Sequence, residues 1–313
     1  MNPAVRVSVD LDRVRTRARE VVDRCGVDVL AVLKADAYGL GAAGVARALV
    51  GVVQGFYFYS LDEVRALRQV VAFDTPALVL RGDLNDVHDF LEARATPIVW
   101  DQADAKRLRA ACPVVSVDTG QQRFACHPDA LDDILRAGAV TQVMTHATRP
   151  DQVARFDELT RRAEMTLGGC LRRHAAGSGL LDTPAAWFDA VRPGLALYHD
   201  AMTVTTNLID VRASVGPTGY SGFTSSTGRH GIIPCGYTDG LRAGSCVING
   251  HARLVREVGM QSAFVETGPH DRVGDPVTLL GPGVSVSELA NHWGTSAQEV
   301  LVSLSRAGRR IAP

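Results

Sequence analysis

The stretch Val27-Asp28-Val29-Leu30-Ala31-Val32-Leu33-Lys34 is an apolar run closed by an amine, and Ala35-Asp36-Ala37-Tyr38-Gly39-Leu40-Gly41 follows it directly. Its length, its β-branched content and the absence of polar alternation predict a strand buried on both faces, the kind found in parallel sheets. Lys34 then stands at the strand tip with a fixed Cα and a desolvated stem. Desolvation lowers an ammonium pKa toward the neutral nucleophile, as a Schiff-base lysine requires. Gly39 and Gly41 make a compact turn where backbone can approach a ligand, ahead of an apolar helix predicted over Ala42–Val50. Only two lysines occur among the 33 basic residues. That scarcity fits the base composition of the coding DNA as well as it fits chemistry, and a lone strand-terminal lysine is more often a solvated charge.

Outward from this strand the pattern repeats. Apolar runs recur at Phe56–Tyr59, Ala77–Leu80, Pro97–Trp100, Pro113–Val117, Val140–Thr145, Leu167–Leu171 and Val191–Leu197. Amphipathic stretches lie between them, among them Asp62–Val70, Gln102–Ala110, Pro128–Arg136, Pro150–Arg162 and Thr183–Ala190. Eight such alternations predict an α/β fold, a closed (β/α)8 TIM barrel. From about residue 203 the runs Leu208–Ser214, Gly231–Pro234, Ser245–Ile248 and Pro276–Leu280 are separated by glycine-rich turns, which predicts a mostly β C-terminal domain. Ser285 with Glu288, and Ser296 with Glu299, read as capping boxes of two late helices, Leu289–Trp293 and Val300–Ser305. The expected domains are a barrel over 8–203 and a β-rich domain over 204–313, the latter joined by an N-terminal strand over 1–7.

Composition narrows the function. With 313 residues, 46% of them hydrophobic, the chain can bury a large core, and a net charge of −1 without basic or acidic runs recommends neither nucleic acid nor an anionic membrane as partner. No apolar stretch is long enough to span a bilayer and the first ten residues lack a signal-peptide pattern, so a cytoplasmic protein with small-molecule partners is expected. Six cysteines without CxxC spacing read as reduced thiols with no metal site.

A barrel collects its chemistry at the C-terminal ends of its strands. Lys34 follows the first expected strand, Asp118–Arg123 the fifth, His146 the sixth and Ser178 the seventh, while Arg192–Gly194 lies at the eighth. Any one of these would ordinarily satisfy nearby backbone groups, but their coincidence on one rim argues for a site.

At this point the residues resemble a known family. Ala31-Val32-Leu33-Lys34-Ala35-Asp36-Ala37-Tyr38-Gly39-Leu40-Gly41 is similar to the cofactor-lysine motif of alanine racemases, fold-type III pyridoxal 5'-phosphate enzymes. Val117-Asp118-Thr119-Gly120, Thr145-His146, His174-Ala175-Ala176-Gly177-Ser178, Val191-Arg192-Pro193-Gly194, Tyr220-Ser221-Gly222 and Gly236-Tyr237-Thr238-Asp239-Gly240 follow in the family's order. The resemblance implies that Lys34 carries pyridoxal 5'-phosphate and shares acid/base work with Tyr220, which reaches the opposite cofactor face from a second subunit of a homodimer. It implies that Arg192 bonds the pyridine nitrogen, that Tyr38, Ser178 and the backbone N–H groups of Gly194 and Leu195 hold the phosphate, and that His146 lies near the ring with His174 in support. For the substrate it implies Arg123 on the carboxylate and Met260 beside it, with Tyr237 at the entrance.

Four positions depart from the family pattern. Ser116 replaces the lysine or asparagine that steadies the carboxylate arginine, Gly177 an asparagine before the phosphate serine, Gln261 an aspartate, and Gln298 a tyrosine. The connections Thr148–Asp151 and before His174 are short. The expectation is an amino-acid racemase or epimerase whose small substrate need not be alanine. A fold-type III decarboxylase using Cys235 and a non-catalytic cofactor-binding protein are the alternatives.

Overall fold

The computed structural model describes residues 2–81 and 84–311, so both ends of the expected β-rich domain with its N-terminal strand, residues 1, 312 and 313, lie outside the described residues. They form two compact units.

Residues 14–37 and 41–197 make up the barrel unit. Its strands are β2 (Asp28–Val32), β3 (Gly55–Phe58), β4 (Ala77–Val79), β5 (Ala95–Val99), β6 (Val114–Ser116), β7 (Gln142–Ala147), β8 (Arg172–Gly177) and β9 (Ala190–Arg192). Each pairs in parallel with the next, and β9 returns to β2 through Asp28↔Ala190 and Val29↔Val191, so the barrel is closed. All four residues of β3 and all but the first of β2 are buried, because helices cover the outer face while side chains fill the inside.

Two expected strands move. The run Leu167–Leu171 is no strand: the helix Pro150–Leu167 continues through Leu167 and stops at Gly168, whose φ of 71° provides the left-handed cap. The strand there is β8, which opens on two arginines, Arg172 paired with Asp28 and Arg173 with Asp157. In the run Val191–Leu197, Pro193-Gly194 ends β9 after Arg192, and Leu195–Tyr198 forms a helical turn instead. The helix expected over Thr183–Ala190 is reduced to one tight turn, Pro184–Ala186.

The second unit holds residues 2–13, 38–40 and those from Tyr198 onward. Its nine-stranded sheet uses β1 (Asn2–Val9), β10 (Met202–Asn207), β11 (Asp210–Ala213), β12 (Arg229–Ile233), β13 (Gly244–Ile248), β14 (His251–Val258), β15 (Ala263–Glu266), β16 (Pro276–Leu280) and β17 (Gly308–Ile311). The order is β11-β12-β15-β14-β13-β16-β10-β1-β17, antiparallel except where β1 meets β17. Ser285 and Ser296 cap the helices Val286–Trp293 and Ala297–Leu304 by accepting from the N–H groups of Glu288 and Glu299. The carboxylate of Glu299 turns away to Thr295 and Arg242, so that box is half made.

One glycine here answers to a close approach. A Cβ on Gly240, at φ 83°, would sit 2.3 Å from the Ser303 carbonyl oxygen. Gly240→Ala is expected to destabilise the protein by about 2–4 kcal/mol, read as a lowered urea midpoint; an unchanged midpoint would show that the turn relaxes freely.

Candidate active site

Lys34 leaves the barrel into an unusual piece of backbone. Ala35, Asp36, Ala37 and Tyr38 all have φ between 53° and 56°, a single left-handed turn built without glycine. Such a conformation costs roughly 1–2 kcal/mol per residue and persists only where the surroundings over-determine it. They do so here. The Ala35 N–H donates to Glu63 Oε1 at 2.8 Å, the Ala42 N–H to Asp36 Oδ1 at 2.7 Å, and the Gly41 N–H to the Asp36 carbonyl at 2.9 Å. The other oxygen of Glu63 accepts from the N–H groups of Tyr59 and Ser60. Sequence reasoning missed Glu63, although Ser60-x-x-Glu63 ahead of the helix Leu61–Arg68 is a capping box that advertises it.

Around Lys34 the rim is cationic. The Lys34 amine has no hydrogen-bond partner among the described residues; burial and then Arg123 draw its pKa below the ordinary value, opposed by Glu63, with Arg192 adding a smaller push downward. Arg192, only 5% exposed, has no carboxylate partner among the described residues. Its Nη1 donates to the His174 carbonyl at 2.9 Å and to His174 Nδ1 at 2.6 Å, and its Nη2 to the carbonyls of Thr145 at 2.6 Å and Ala175 at 3.1 Å. His174 is therefore neutral, since Nδ1 accepts; burial and the neighbouring Arg192 hold its pKa well down, and its buried Nε2 has no hydrogen-bond partner among the described residues. Tyr57, missed from sequence because it reads as strand core, lies 5.9 Å from the Arg192 guanidinium with its hydroxyl pushed up to about 12 by burial.

Arg123 is exposed and has no hydrogen-bond or ion-pair partner among the described residues. Ser116, where the family's supporting residue would stand, is buried in β6. Position comes instead from the backbone: Gln122 and Phe124 on either side have φ of 55° and 49°, and Phe124 packs on Trp100 at 5.7 Å and Tyr59 at 6.5 Å.

Part of the His146 ring meets solvent at the barrel mouth, yet the enclosing walls and then Arg192, Arg123 and Lys34 draw its pKa from 6.5 to about 4. The unfolded chain therefore binds this proton first as pH falls, so stability drops from pH 6.5 down to about 4, where the folded form also protonates. His146→Asn is expected to show a shallower fall of the urea midpoint across that window than the wild type; parallel curves would refute it.

Beyond these residues, Ser178 Oγ accepts from the N–H groups of Gly194 at 3.0 Å and Ala196 at 3.1 Å, while the Leu195 N–H lies outside the pair. A Cβ on Gly177 would make only ordinary contacts, 3.8 Å from His146 Cε1 and from the Arg192 carbonyl.

The remaining expected residues belong to the second unit. Tyr38 stacks edge-on against Tyr198 at 5.4 Å, its hydroxyl pushed up to about 12 by burial. Tyr220, Tyr237 and Met260 are 97%, 55% and 61% exposed. Tyr237 and Met260 sit on touching turns: the Tyr237 N–H donates to the Gly259 carbonyl, and the Thr238 hydroxyl to that of Met260 at 2.7 Å. Gln261 and Gln298 are both exposed. Cys235 is fully buried, its thiol pushed up to about 12 by burial and by Asp239, which unfits it as the acid a decarboxylase would present.

Two family models match the chain end to end, the alanine racemase N-terminal domain over residues 9–201 and the alanine racemase C-terminal domain over residues 201–312. The chain belongs to the alanine racemase family. It is a pyridoxal 5'-phosphate-dependent amino-acid racemase, an isomerase. Among alanine racemases it is 30% identical to that of Xanthomonas campestris pv. campestris, over all of this chain and 99% of the relative, and 30% identical to the catabolic enzyme of Pseudomonas aeruginosa, over 99% of each. The first alignment spans 359 positions for a chain of 313 residues, so the relative carries insertions absent here. Of solved structures, the alanine racemase of Streptomyces coelicolor superposes with a TM-score of 0.87 at 26% identity, over 99% of this chain and 98% of that one. The biosynthetic alanine racemase of Pseudomonas aeruginosa gives 0.85 at 27% over the whole of both.

The barrel residues fit that family's cofactor. A buried guanidinium held by three backbone carbonyls and a neutral imidazole, with no carboxylate among the described residues to pair it, is expensive as structure and useful as a fixed donor. Three cations on one rim, with Glu63, the carboxylate that acts on Lys34, spent on backbone N–H groups, suit a phosphate and a carboxylate as ligands.

Proposed function

We propose that this racemase moves the α-hydrogen of an amino acid between Lys34 and Tyr220 on opposite faces of the substrate, with Tyr220 supplied by the second copy in a homodimer. The observation that carries the reading is the unneutralised trio Lys34, Arg123 and Arg192 around a neutral His146. Pyridoxal 5'-phosphate, when bound, supplies an electron sink that acidifies the substrate's α-hydrogen.

The chain's residues supply the rest. Arg192, anchored on the Thr145, His174 and Ala175 carbonyls, would donate to the cofactor's ring nitrogen without surrendering its own proton, and His146 would lie near the ring. Tyr38, the Ser178 hydroxyl and the backbone N–H groups of Gly194 and Leu195 would hold the phosphate. Arg123 meets the substrate carboxylate with a planar fork. Lys34 takes or returns the proton at Nζ, whose pKa burial and Arg123 lower from the ordinary value, and Tyr220 does so at Oη on the other face. Met260 and Tyr237 line the entrance.

A phenol that is 97% exposed is not enclosed by its own chain, which supports its service in a neighbouring subunit. Ser116 and Gln261 change the surroundings of the carboxylate site, so the substrate need not be alanine. No helix among the described residues is long and apolar enough to cross a membrane, and six cysteines free of disulfides favour the cytoplasm.

Mixing two inactive variants tests the shared site. When Lys34→Ala and Tyr220→Phe subunits re-pair at random, about a quarter of the wild-type sites become whole if each site draws on two subunits. Persistent inactivity of the mixture, with subunit exchange verified, would place both groups in one chain.

A further inference from the structure

The turn that carries Tyr220 is built around one carboxylate. Thr218 and Phe223 close it with an antiparallel bridge, the Thr218 N–H donating to the Phe223 carbonyl at 2.9 Å. Its base is anchored by Phe223, buried edge-on against Phe264 of β15 at 5.7 Å. At its tip, Glu257 of β14 accepts from the Tyr220 N–H at 2.8 Å through Oε1, and through Oε2 from the Ser221 N–H at 2.7 Å and the Ser221 hydroxyl. Gly219, at φ 73°, passes so close that a Cβ there would lie 2.7 Å from the same carboxylate. The Tyr220 side chain is almost wholly exposed, so its direction is set by its backbone, and that backbone is held by Glu257.

We infer that Glu257 is the positioning residue for Tyr220: by clamping two successive N–H groups and the Ser221 hydroxyl it fixes the direction in which the phenol leaves the turn. The inference rests on the proposed role of Tyr220 as the second proton-transfer group. Glu257 touches neither substrate nor cofactor in this account. It acts through the turn, and three charge-assisted hydrogen bonds to one carboxylate are what hold so short a segment in one geometry. Misplacement of a proton-transfer group by about 1 Å is enough to cost on the order of 100-fold in rate.

Glu257→Ala holoenzyme is expected to lose about 30- to 100-fold in kcat with KM changed less than about threefold. The distinguishing readout is α-hydrogen washout in deuterated water, measured for each enantiomer separately. Washout slows by the same factor from the enantiomer whose hydrogen faces Tyr220, and stays within about twofold from the enantiomer served by Lys34. Glu257→Gln, which keeps the shape and one accepting oxygen, recovers part of the loss. Racemisation by Glu257→Ala within about twofold of wild type would overturn the inference, and so would equal slowing of both washouts, the mark of a general structural defect. Tyr220→Phe run in parallel separates the two layers. If it racemises like the wild type, the role of Tyr220 itself falls; if it is inactive while Glu257→Ala is not, only Glu257 is removed.

Discussion

Lys34→Ala is expected to racemise at least about ten-thousand-fold more slowly than the wild type, because in the proposed mechanism it removes both the covalent anchor for the cofactor and one of two proton-transfer groups. Chiral chromatography of the reaction course measures the loss. The effect belongs to chemistry and not to folding: the amine has no hydrogen-bond partner among the described residues, and its surroundings already disfavour its charge. The melting temperature is therefore expected to move by no more than a few degrees. A second readout needs no turnover: the wild type is expected to retain pyridoxal 5'-phosphate through dialysis and the variant to release it. Residual activity above about a hundredth of wild type would show that another group carries the reaction.

Tyr220→Phe is expected to lower racemisation about a hundred- to ten-thousand-fold in both directions while leaving stability unchanged within about 0.5 kcal/mol. Only one oxygen is removed, from a side chain that is 97% exposed, so nothing in the core responds. Racemisation must fall equally from both enantiomers because they are equal in free energy. Hydrogen exchange need not, since in the proposed mechanism Lys34 would still remove and return the hydrogen on its own face, and exchange without inversion from one enantiomer is the signature of a surviving first base. Equal loss of exchange from both would point to a single-base path.

The barrel was legible because its strands are apolar on both faces. Val27–Lys34 could be read as buried parallel strand from composition alone, and β2 occupies its centre. Leu167–Leu171 misled for the same reason: its leucines belong to the end of a helix and the approach to β8, whose own start, Arg172-Arg173, is polar and paired across the surface. In the second unit β10 and β14 went unread because Met202–Asn207 alternates with threonines and His251–Val258 is largely exposed, which leaves little hydrophobic signal. The rim positions of Lys34, His146 and Arg192 followed from strand counting, and their electrostatic coupling required the fold. What no local pattern could reveal is contact across the chain. Glu257 meets the Tyr220 turn from 36 and 37 residues away, and the left-handed turn after Lys34 is spelled with alanines that ordinarily favour right-handed helix.

The central claim, that the Lys34 rim and Tyr220 interconvert the enantiomers of an amino acid, is tested most directly by α-hydrogen exchange. Holoenzyme with pyridoxal 5'-phosphate is incubated in deuterated water with a broad panel of amino acids, each as a single enantiomer, and deuterium content and chirality are followed together. The account predicts at least one amino acid that gains α-deuterium and becomes racemic. A panel in which no amino acid exchanges its α-hydrogen would contradict it.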